Sequence, residues 1–342
     1  MKMPNYQSLI RPARIFFLFV FLLTACSAAP AAGQTAAQEP TKENAPPAQS
    51  VEEPTVLSPT AAAPAATEVP QQPREVPVEP TQSNFRISEV DQMEQIYIPA
   101  GDFFMGSDDS EAKLTVEGGR AYPEIPIHTV YLDGYWFDKF EVTNRQYSLC
   151  VDAGVCKKPN YVRSYTREHY YDNPEFANYP VLYVDWFMSQ EYCKWAGRRL
   201  PNEAEWEKAA RGDDKRKYAW GNEKVDGTRA NFCDINCPKV HANPNYDDGS
   251  ADTAEVGSYP AGASFYGIMD MSGNAWEWTT SKPRPYPYDA TDGREDYDTN
   301  NERVWRGGPW SNGEWWTRAT LRYRSVPTYW YGNLGFRCAA TE

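Results

Sequence analysis

The distribution of aromatic side chains divides the 342-residue chain into two parts with different capacities to fold. Residues 27–84 contain no Phe, Trp or Tyr and hold 11 of the 28 prolines. Such a segment buries too little apolar surface to offset the entropy lost on ordering, and its prolines keep it extended. All 12 tryptophans follow it. We therefore expect a disordered stalk over 26–84 and one folded domain over 85–342.

The amino terminus has the pattern of an export signal. Basic residues precede an apolar run over 15–23, which is too short to span a bilayer as a mature helix. The run leads into Leu-Thr-Ala-Cys, which resembles a bacterial lipobox. We expect a signal peptide over 1–25, lipidation of Cys26, and export of the protein to the outer or periplasmic face of a bacterial membrane, where Cys26 anchors it. An uncleaved anchor is the alternative.

The net charge argues against one class of partner. It is −13, and no Lys/Arg cluster is long enough to follow a phosphate backbone. Nucleic-acid binding is therefore not expected.

Export also constrains the six cysteines beyond Cys26. An even number in an oxidising compartment favours disulfides over metal ligands. Two short separations indicate local pairs, which leaves one long-range pair. The pairs are Cys150–Cys156, Cys233–Cys237 and Cys193–Cys338. The competing interpretation is a cysteine-based zinc site, but the spacings do not fit one and the chain has only three His.

Capping residues predict three helices within a domain of short strands and long irregular connections. The first has Thr143 as its N-cap, with Gln146 completing a capping box, and ends near Gly154. The second runs from Asp185 to Gly197 and the third from Asn202 to Gly212. Residues 95–107 predict strand structure, and "HTVYLDGYWFDKFEVT", residues 128–143, predicts a hairpin. The fold class expected is α+β.

The segment "GIMDMSGNAWEWT", residues 267–279, contains a carboxylate between two indoles. A strand places Trp276 and Trp278 on one face and Glu277 on the other. If Glu277 is buried, its charge needs compensation. One interpretation is that Glu277 points to water; the other is a Ca²⁺ ion held by Asp270, Glu277 and carbonyl oxygens of the turn. Oxygen-rich residues 230–232 and 245–252 suggest a second such site, although these runs are usually turns.

Several blocks together resemble a known family. They include "IPAGDFFMGS", "FEVTNRQY", "YCKWAGRRLPNEAEWEKAARG", "YGIMDMSGNAWEWT", "RVWRGGPW" and "GNLGFRCA". Their order over residues 95–340 resembles that in the formylglycine-generating enzyme (sulfatase-modifying factor) family. The resemblance implies one compact, loop-rich domain of complex topology, related to C-type lectin folds.

The resemblance also implies two structural Ca²⁺ sites and a disulfide from the "YC" helix to "GFRC", which is Cys193–Cys338. The ligands of the first site would be Asp270, the carbonyls of Gly273 and Ala275, and Glu277. Those of the second would be Asn231, the Phe232 carbonyl, Asp248 and the Ser250 carbonyl.

The sequence departs from the catalytic members where they bind copper(I). Those members carry two cysteines before an "RYR"-like segment and oxidise a substrate cysteine to formylglycine. Here Pro309 replaces the family serine, and Trp315 and Thr320 lie nearest the cysteine positions. Since copper(I) requires soft thiolates, no copper is expected. The iron-dependent relatives add a His cluster that His128, His169 and His241 do not reproduce, although a site built from scattered His stays an alternative.

The location and the missing thiols favour a binding module over an oxidase. In catalytic relatives the "RGG" and "RYR" surface holds a peptide, so Trp and Arg side chains here are expected to line a groove for a peptide or small molecule. They are Trp310, Trp315, Trp316, Arg318 and Arg322. Alternatively, these indoles fill the core and the arginines pair with buried carboxylates. The alternative function is an oxidoreductase with an unrecognised metal site.

Overall fold

Short strands in three small sheets surround three helices in the computed structural model, which describes residues 84–108, 123–298 and 300–342. The predicted signal peptide, Cys26 and the stalk lie outside these residues. The strands are β1 Phe85–Ile87, β2 Glu94–Ile98, β3 Gly101–Met105, β4 His128–Leu132, β5 Tyr135–Asp138, β6 Trp276–Trp278, β7 Arg303–Arg306, β8 Tyr323–Ser325, β9 Leu334–Gly335 and β10 Ala339–Thr341. Within the described part, no helix is long and apolar enough to cross a membrane.

The three helices begin at the predicted caps. They are α1 Asn144–Asp152, α2 Trp186–Trp195 and α3 Glu203–Arg211. The Thr143 side chain accepts from the Gln146 amide, and the Gln146 side chain accepts from the Thr143 amide. Asn202 and Glu205 form the same reciprocal pair before α3. These caps satisfy amide groups that a helix leaves unpaired at its start, and for this reason a local pattern located them.

The predicted hairpin over 128–143 is wrong. Strand β4 pairs with β3, and β5 lies between β2 and β10 in a different sheet. All four residues of β5 are buried, so its edges need partners on both sides. Adjacency in the chain suggested a hairpin, but tertiary pairing with β2 and β10 prevails.

The third sheet, of order β8-β7-β6-β9, contains the "WEW" segment as β6. Trp276 and Trp278 pack into one core cluster with Trp305 of β7. Glu277 lies on the opposite face, where it contacts Trp206 of α3. The strand prediction and the two faces are therefore confirmed.

The structure contains the three disulfides that the sequence predicts. Two are local, Cys150–Cys156 and Cys233–Cys237. The third, Cys193–Cys338, joins α2 to the residue before β10 across a separation of 145 residues. Closing so long a loop restricts the unfolded chain far more than the local bridges do.

Candidate functional site

The arginines of the segment after β7 are buried and paired. Both terminal nitrogens of Arg318 donate to Glu124, at 2.7 and 2.8 Å. Arg322 donates to the two oxygens of Glu203 at 2.6 and 2.8 Å. Burial raises the pKa of Glu124, and the Arg318 charge offsets this only in part. Neither arginine reaches the surface, so their assignment to a ligand groove is wrong.

Trp310 is also part of the interior. It is 2 % exposed, packs against the Cys233–Cys237 disulfide, and donates its indole N–H to the Gly332 carbonyl at 3.2 Å. Its groove assignment is wrong for the same reason. A sequence rich in Trp and Arg suits either a binding surface or a packed wall, and the deciding carboxylates come from distant parts of the chain.

Half-buried Trp316 is one of the residues that line a pocket not predicted from the sequence. We call it the aromatic pocket; its volume is about 220 Å³. Its described lining residues are Trp276, Trp305, Asn312, Trp316, Tyr323, Tyr329, Tyr331 and Asn333. Half-buried Trp315 adjoins it through a ring contact with Trp316 but is not among the lining residues. The run "TYWYGN", residues 328–333, was the available signal for the missed members.

Ring contacts hold the walls of the aromatic pocket. Tyr323 of β8 stacks on Trp276 with centroids 5.6 Å apart, and Trp316 meets Trp276 edge to face at 6.1 Å. Tyr329 stacks on Trp305 at 5.4 Å. These offset and edge-to-face arrangements are the stable ones for aromatic pairs. Trp276, Trp305 and Tyr323 lie on strands of the third sheet. Trp316 lies in a 3-10 turn, and Tyr329 and Tyr331 lie in the connection between β8 and β9.

The residues that line the aromatic pocket have few polar atoms, and one of these atoms lacks a partner. The amide nitrogen of Asn333 donates to Ser311 at 2.7 Å, and the Asn312 side-chain oxygen accepts from Ser311 at 3.2 Å. Trp305 is 3 % exposed, and its indole N–H has no hydrogen-bond acceptor among the described residues. That N–H is enclosed by protein atoms, so it belongs to the interior behind the pocket wall and is not presented to a ligand.

A larger, open cleft of about 790 Å³ lies along α2. Three of its six charged lining residues already have structural roles. Arg198 pairs with buried Asp91, Arg199 with Glu205, and Asp185 caps α2. We therefore place the candidate ligand site in the smaller aromatic pocket.

The positions nearest the family's copper thiols have other partners here. The Thr320 hydroxyl donates to Glu124, and the guanidinium of Arg318 stacks on Trp315 at 4.3 Å. The six cysteines of the described part are all in disulfides.

The three histidines make separate contacts. His128 accepts from the Tyr288 amide at 2.7 Å. His169 lies 3.6 Å from Asp172, and His241 contacts the Ser311 carbonyl at 3.0 Å. Over the described ranges, no three His, Cys, Asp or Glu side chains group to hold a metal ion. The expected Ca²⁺ sites do not depend on such a group, because half of their ligands are backbone carbonyls.

Glu277 of the first expected Ca²⁺ site forms an ion pair with an arginine of the protein. It is fully buried, so the interpretation that it points to water is wrong. Arg337 donates to its two oxygens at 2.8 and 2.7 Å, and Trp206 donates at 2.7 Å. No sequence pattern singled out Arg337 as this partner, although it stands in the "GFRC" block.

The surroundings of Glu277 still carry excess negative charge. Glu141 and Asp270 are buried nearby and share the single cation Arg337. Burial first, and then the charges of Asp270 and Glu277, raise the pKa of Glu141 well above its usual range. Burial and the Glu277 charge likewise raise the pKa of Asp270 to about 6. A bound cation would relieve both effects, so the region fits Ca²⁺.

The two segments of the second expected site are in contact. The amides of Phe232 and Ser250 donate to the two oxygens of Asp248, at 2.9 and 2.8 Å. Burial and then the nearby Asp234 charge raise the pKa of Asp248 to about 7, although those amide bonds lower it.

Asn231 supplies an unpaired oxygen to this second site. It is 1 % exposed, and its amide nitrogen donates to the Asp252 carbonyl at 2.8 Å and to Asn274 at 3.1 Å. Its side-chain oxygen, directed away by those bonds, has no partner among the described residues. An unpaired oxygen one residue before Phe232, whose amide donates to half-buried Asp248, fits a Ca²⁺ ligand set.

The two expected Ca²⁺ segments are in direct contact. The Asn274 amide donates to the Asn231 carbonyl at 2.9 Å. Gly273 has φ +102°, and a Cβ there would lie 2.3 Å from the Asn231 carbonyl oxygen. Only glycine permits this approach.

Comparisons with known proteins agree with this architecture. The model of the sulfatase-modifying factor enzyme 1-like domain matches residues 81–342. The formylglycine-generating enzyme of Streptomyces coelicolor is 32% identical over 291 residues, which cover 72% of this chain and 88% of that protein. Hercynine oxygenase of Mycolicibacterium smegmatis is 30% identical over 250 residues, covering 63% of this chain and 54% of its own length.

Among solved structures, PvdO from Pseudomonas aeruginosa has a TM-score of 0.60 at 24% identity, covering 76% of this chain and 99% of that one. This likeness supports the predicted α+β, loop-rich fold. Together with the domain match, it establishes the relationship: the chain belongs to the sulfatase-modifying factor enzyme 1-like family.

Proposed function

We propose that this protein is a membrane-anchored, extracytoplasmic binding module that holds a peptide or small molecule in the aromatic pocket without oxidising it. The observation that carries the proposal is the pocket itself. Six aromatic rings and two amides line it, three of the rings on strands β6, β7 and β8, beside the segment where catalytic relatives keep their thiols. Aromatic side chains provide large contact area at little cost in conformational entropy.

The chemistry of the segment supports binding rather than oxidation. Thr320 and Trp315 offer a hydroxyl and an indole in place of soft thiolates, and copper(I) is not retained by such groups. Tyrosine phenols are the only acid–base groups among the described residues that line the pocket, which include no carboxylate, histidine, lysine or cysteine.

We further propose that Ca²⁺ stabilises the fold at two places. Asp270, Glu277 and the Gly273 and Ala275 carbonyls would hold one ion. Asn231, Asp248 and the Phe232 and Ser250 carbonyls would hold the other. The support is the unpaired Asn231 oxygen and the excess of buried carboxylates. Bound Ca²⁺ would neutralise these groups and take no part in ligand chemistry.

An oxidoreductase is the second candidate, because relatives are named formylglycine-generating enzyme and hercynine oxygenase. Elemental analysis of the purified, exported protein separates the two functions. The binding module predicts calcium near two equivalents and no stoichiometric copper or iron. Stoichiometric copper or iron, together with oxygen consumption in the presence of a thiol substrate, would refute the binding module.

A further inference from the structure

We infer that the aromatic pocket binds one ring of a neutral saccharide; this rests on the proposed function and names its ligand class. The geometry combines uncharged aromatic walls, two amides and a small volume. Each of these features restricts the chemistry of the ligand.

The first restriction is charge. None of the described lining residues is ionised, so an anionic or cationic ligand would lose its hydration without gaining a counter-ion. Aromatic faces alone attract quaternary ammonium groups. A quaternary ammonium group can neither donate nor accept a hydrogen bond, so it would offer no partner to the side chains of Asn312 and Asn333. A neutral ligand that bears hydroxyl groups suits both the aromatic walls and the amides.

The second restriction is the pattern of hydrogen-bonding groups. Asn312 and Asn333 each carry an acceptor oxygen and a donor amide. A sugar hydroxyl both donates and accepts, so it can bind either end of an amide. The C–H face of a pyranose ring is apolar and slightly positive, which suits the negative face of an indole or phenol ring. A saccharide therefore matches the walls and the polar atoms together.

The third restriction is size. The volume of about 220 Å³ is below the range of roughly 300–1,000 Å³ typical of drug-sized ligands. It suits a single ring unit rather than a length of peptide. At the rim, Tyr331 is 50 % exposed and stacks on Tyr329 with centroids 6.1 Å apart. A second sugar ring can lie on this exposed face, so oligosaccharides should bind better than monosaccharides.

Titration calorimetry and tryptophan fluorescence test the inference. The probes are neutral hexasaccharides (cellohexaose, hexa-N-acetylchitohexaose, laminarihexaose and mannohexaose), with choline and hexaproline as the alternative ligand classes. At least one hexasaccharide should saturate the protein. Trp316→Ala and Tyr331→Ala should each weaken its binding by about tenfold, the scale of one lost stacking contact in a pocket.

Two variants provide matched controls. Trp220 is half-buried like Trp316 but stacks on Tyr218 in a separate cluster. Tyr161 is 45 % exposed, a fraction similar to that of Tyr331, and it contacts Trp330, which is not a lining residue of the pocket. Trp220→Ala and Tyr161→Ala should change saccharide affinity by less than about twofold, because neither ring lines the pocket. Unchanged melting of Tyr331→Ala would show that its loss is local.

The outcomes separate the inference from the proposed function. If no hexasaccharide binds while choline or hexaproline binds in a Trp316-dependent way, the saccharide inference is refuted and the binding module stands. If a hexasaccharide binds equally well to Trp316→Ala and Tyr331→Ala, the pocket assignment is refuted. If none of the six probes binds, the saccharide inference is refuted, and a thiol oxidase activity in the same preparation would refute the binding module as well.

Discussion

Changing Glu277 to Gln tests the charge arrangement behind β6 most directly. The amide keeps the size of the side chain and can still accept from Trp206, but it no longer neutralises Arg337. Both partners are fully buried, and Arg337 donates through two nitrogens. Removing one partner of a buried pair costs about 3–5 kcal/mol, because the other charge stays in the interior.

That loss is a large part of the 5–15 kcal/mol by which domains are usually stable. For a domain of this size it corresponds to a fall of about 6–20 °C in Tm. Urea unfolding followed by circular dichroism at pH 7.5, with the disulfides intact and Ca²⁺ present, gives the change in free energy. The matched control is Glu94→Gln. Glu94 pairs with Lys139 at 2.7 Å, but their side chains are 37 % and 29 % exposed. Its loss should be below about 1 kcal/mol.

The same variant also tests the first Ca²⁺ site. EGTA should lower the Tm of the unaltered protein more than that of Glu277→Gln, because the variant has already lost a ligand charge. If Glu277→Gln is destabilised no more than Glu94→Gln, the buried pair does not support the fold. If EGTA shifts both proteins equally, Glu277 is not a Ca²⁺ ligand.

Three other predictions follow from buried groups. Without Ca²⁺, the pKa of Asp248 is about 7 in the folded protein and near 4 in the unfolded chain. Between these values the folded state binds more protons than the unfolded state. The free energy of unfolding should therefore fall as the pH rises from about 4 to 7. Asp248→Asn or added Ca²⁺ should flatten this part of a pH series of melts, and an unchanged slope would contradict the assignment. Replacing Cys193 and Cys338 with Ser should cost about 5 kcal/mol in urea unfolding from loop entropy, and a loss below about 1 kcal/mol would show that the bridge does not constrain the unfolded chain. Arg322→Ala should cost about 3–5 kcal/mol in unfolding without changing ligand affinity in the folded fraction, and a pure affinity loss at full stability would restore Arg322 to a binding surface.

Local patterns located the helices because a cap depends on residues only three positions apart. Thr143 with Gln146 and Asn202 with Glu205 specify where α1 and α3 begin, wherever the helices then pack. The alternation in "WEW" likewise placed Glu277 opposite its flanking indoles. Family blocks extended this to the Ca²⁺ segments, whose residues the structure brings together.

Partners from distant parts of the chain decided the rest. Arg318 and Arg322, which the sequence suggested for a ligand groove, instead form buried ion pairs with Glu124 and Glu203. Arg337 compensates the charge of Glu277 in the same way. No local pattern reports such partners, since they lie more than 50 residues away.

The sequence by itself therefore determined composition, export pattern, helix starts, family resemblance and the absence of soft donors from one segment. These depend on side-chain identity and on short spacings. Tertiary structure alone decided which strands pair, which arginines are neutralised, and that rings from β6, β7, β8 and residues 328–333 enclose the aromatic pocket. Burial and enclosure arise only when distant segments pack, and the free energy of a charge or a ring depends on what surrounds it.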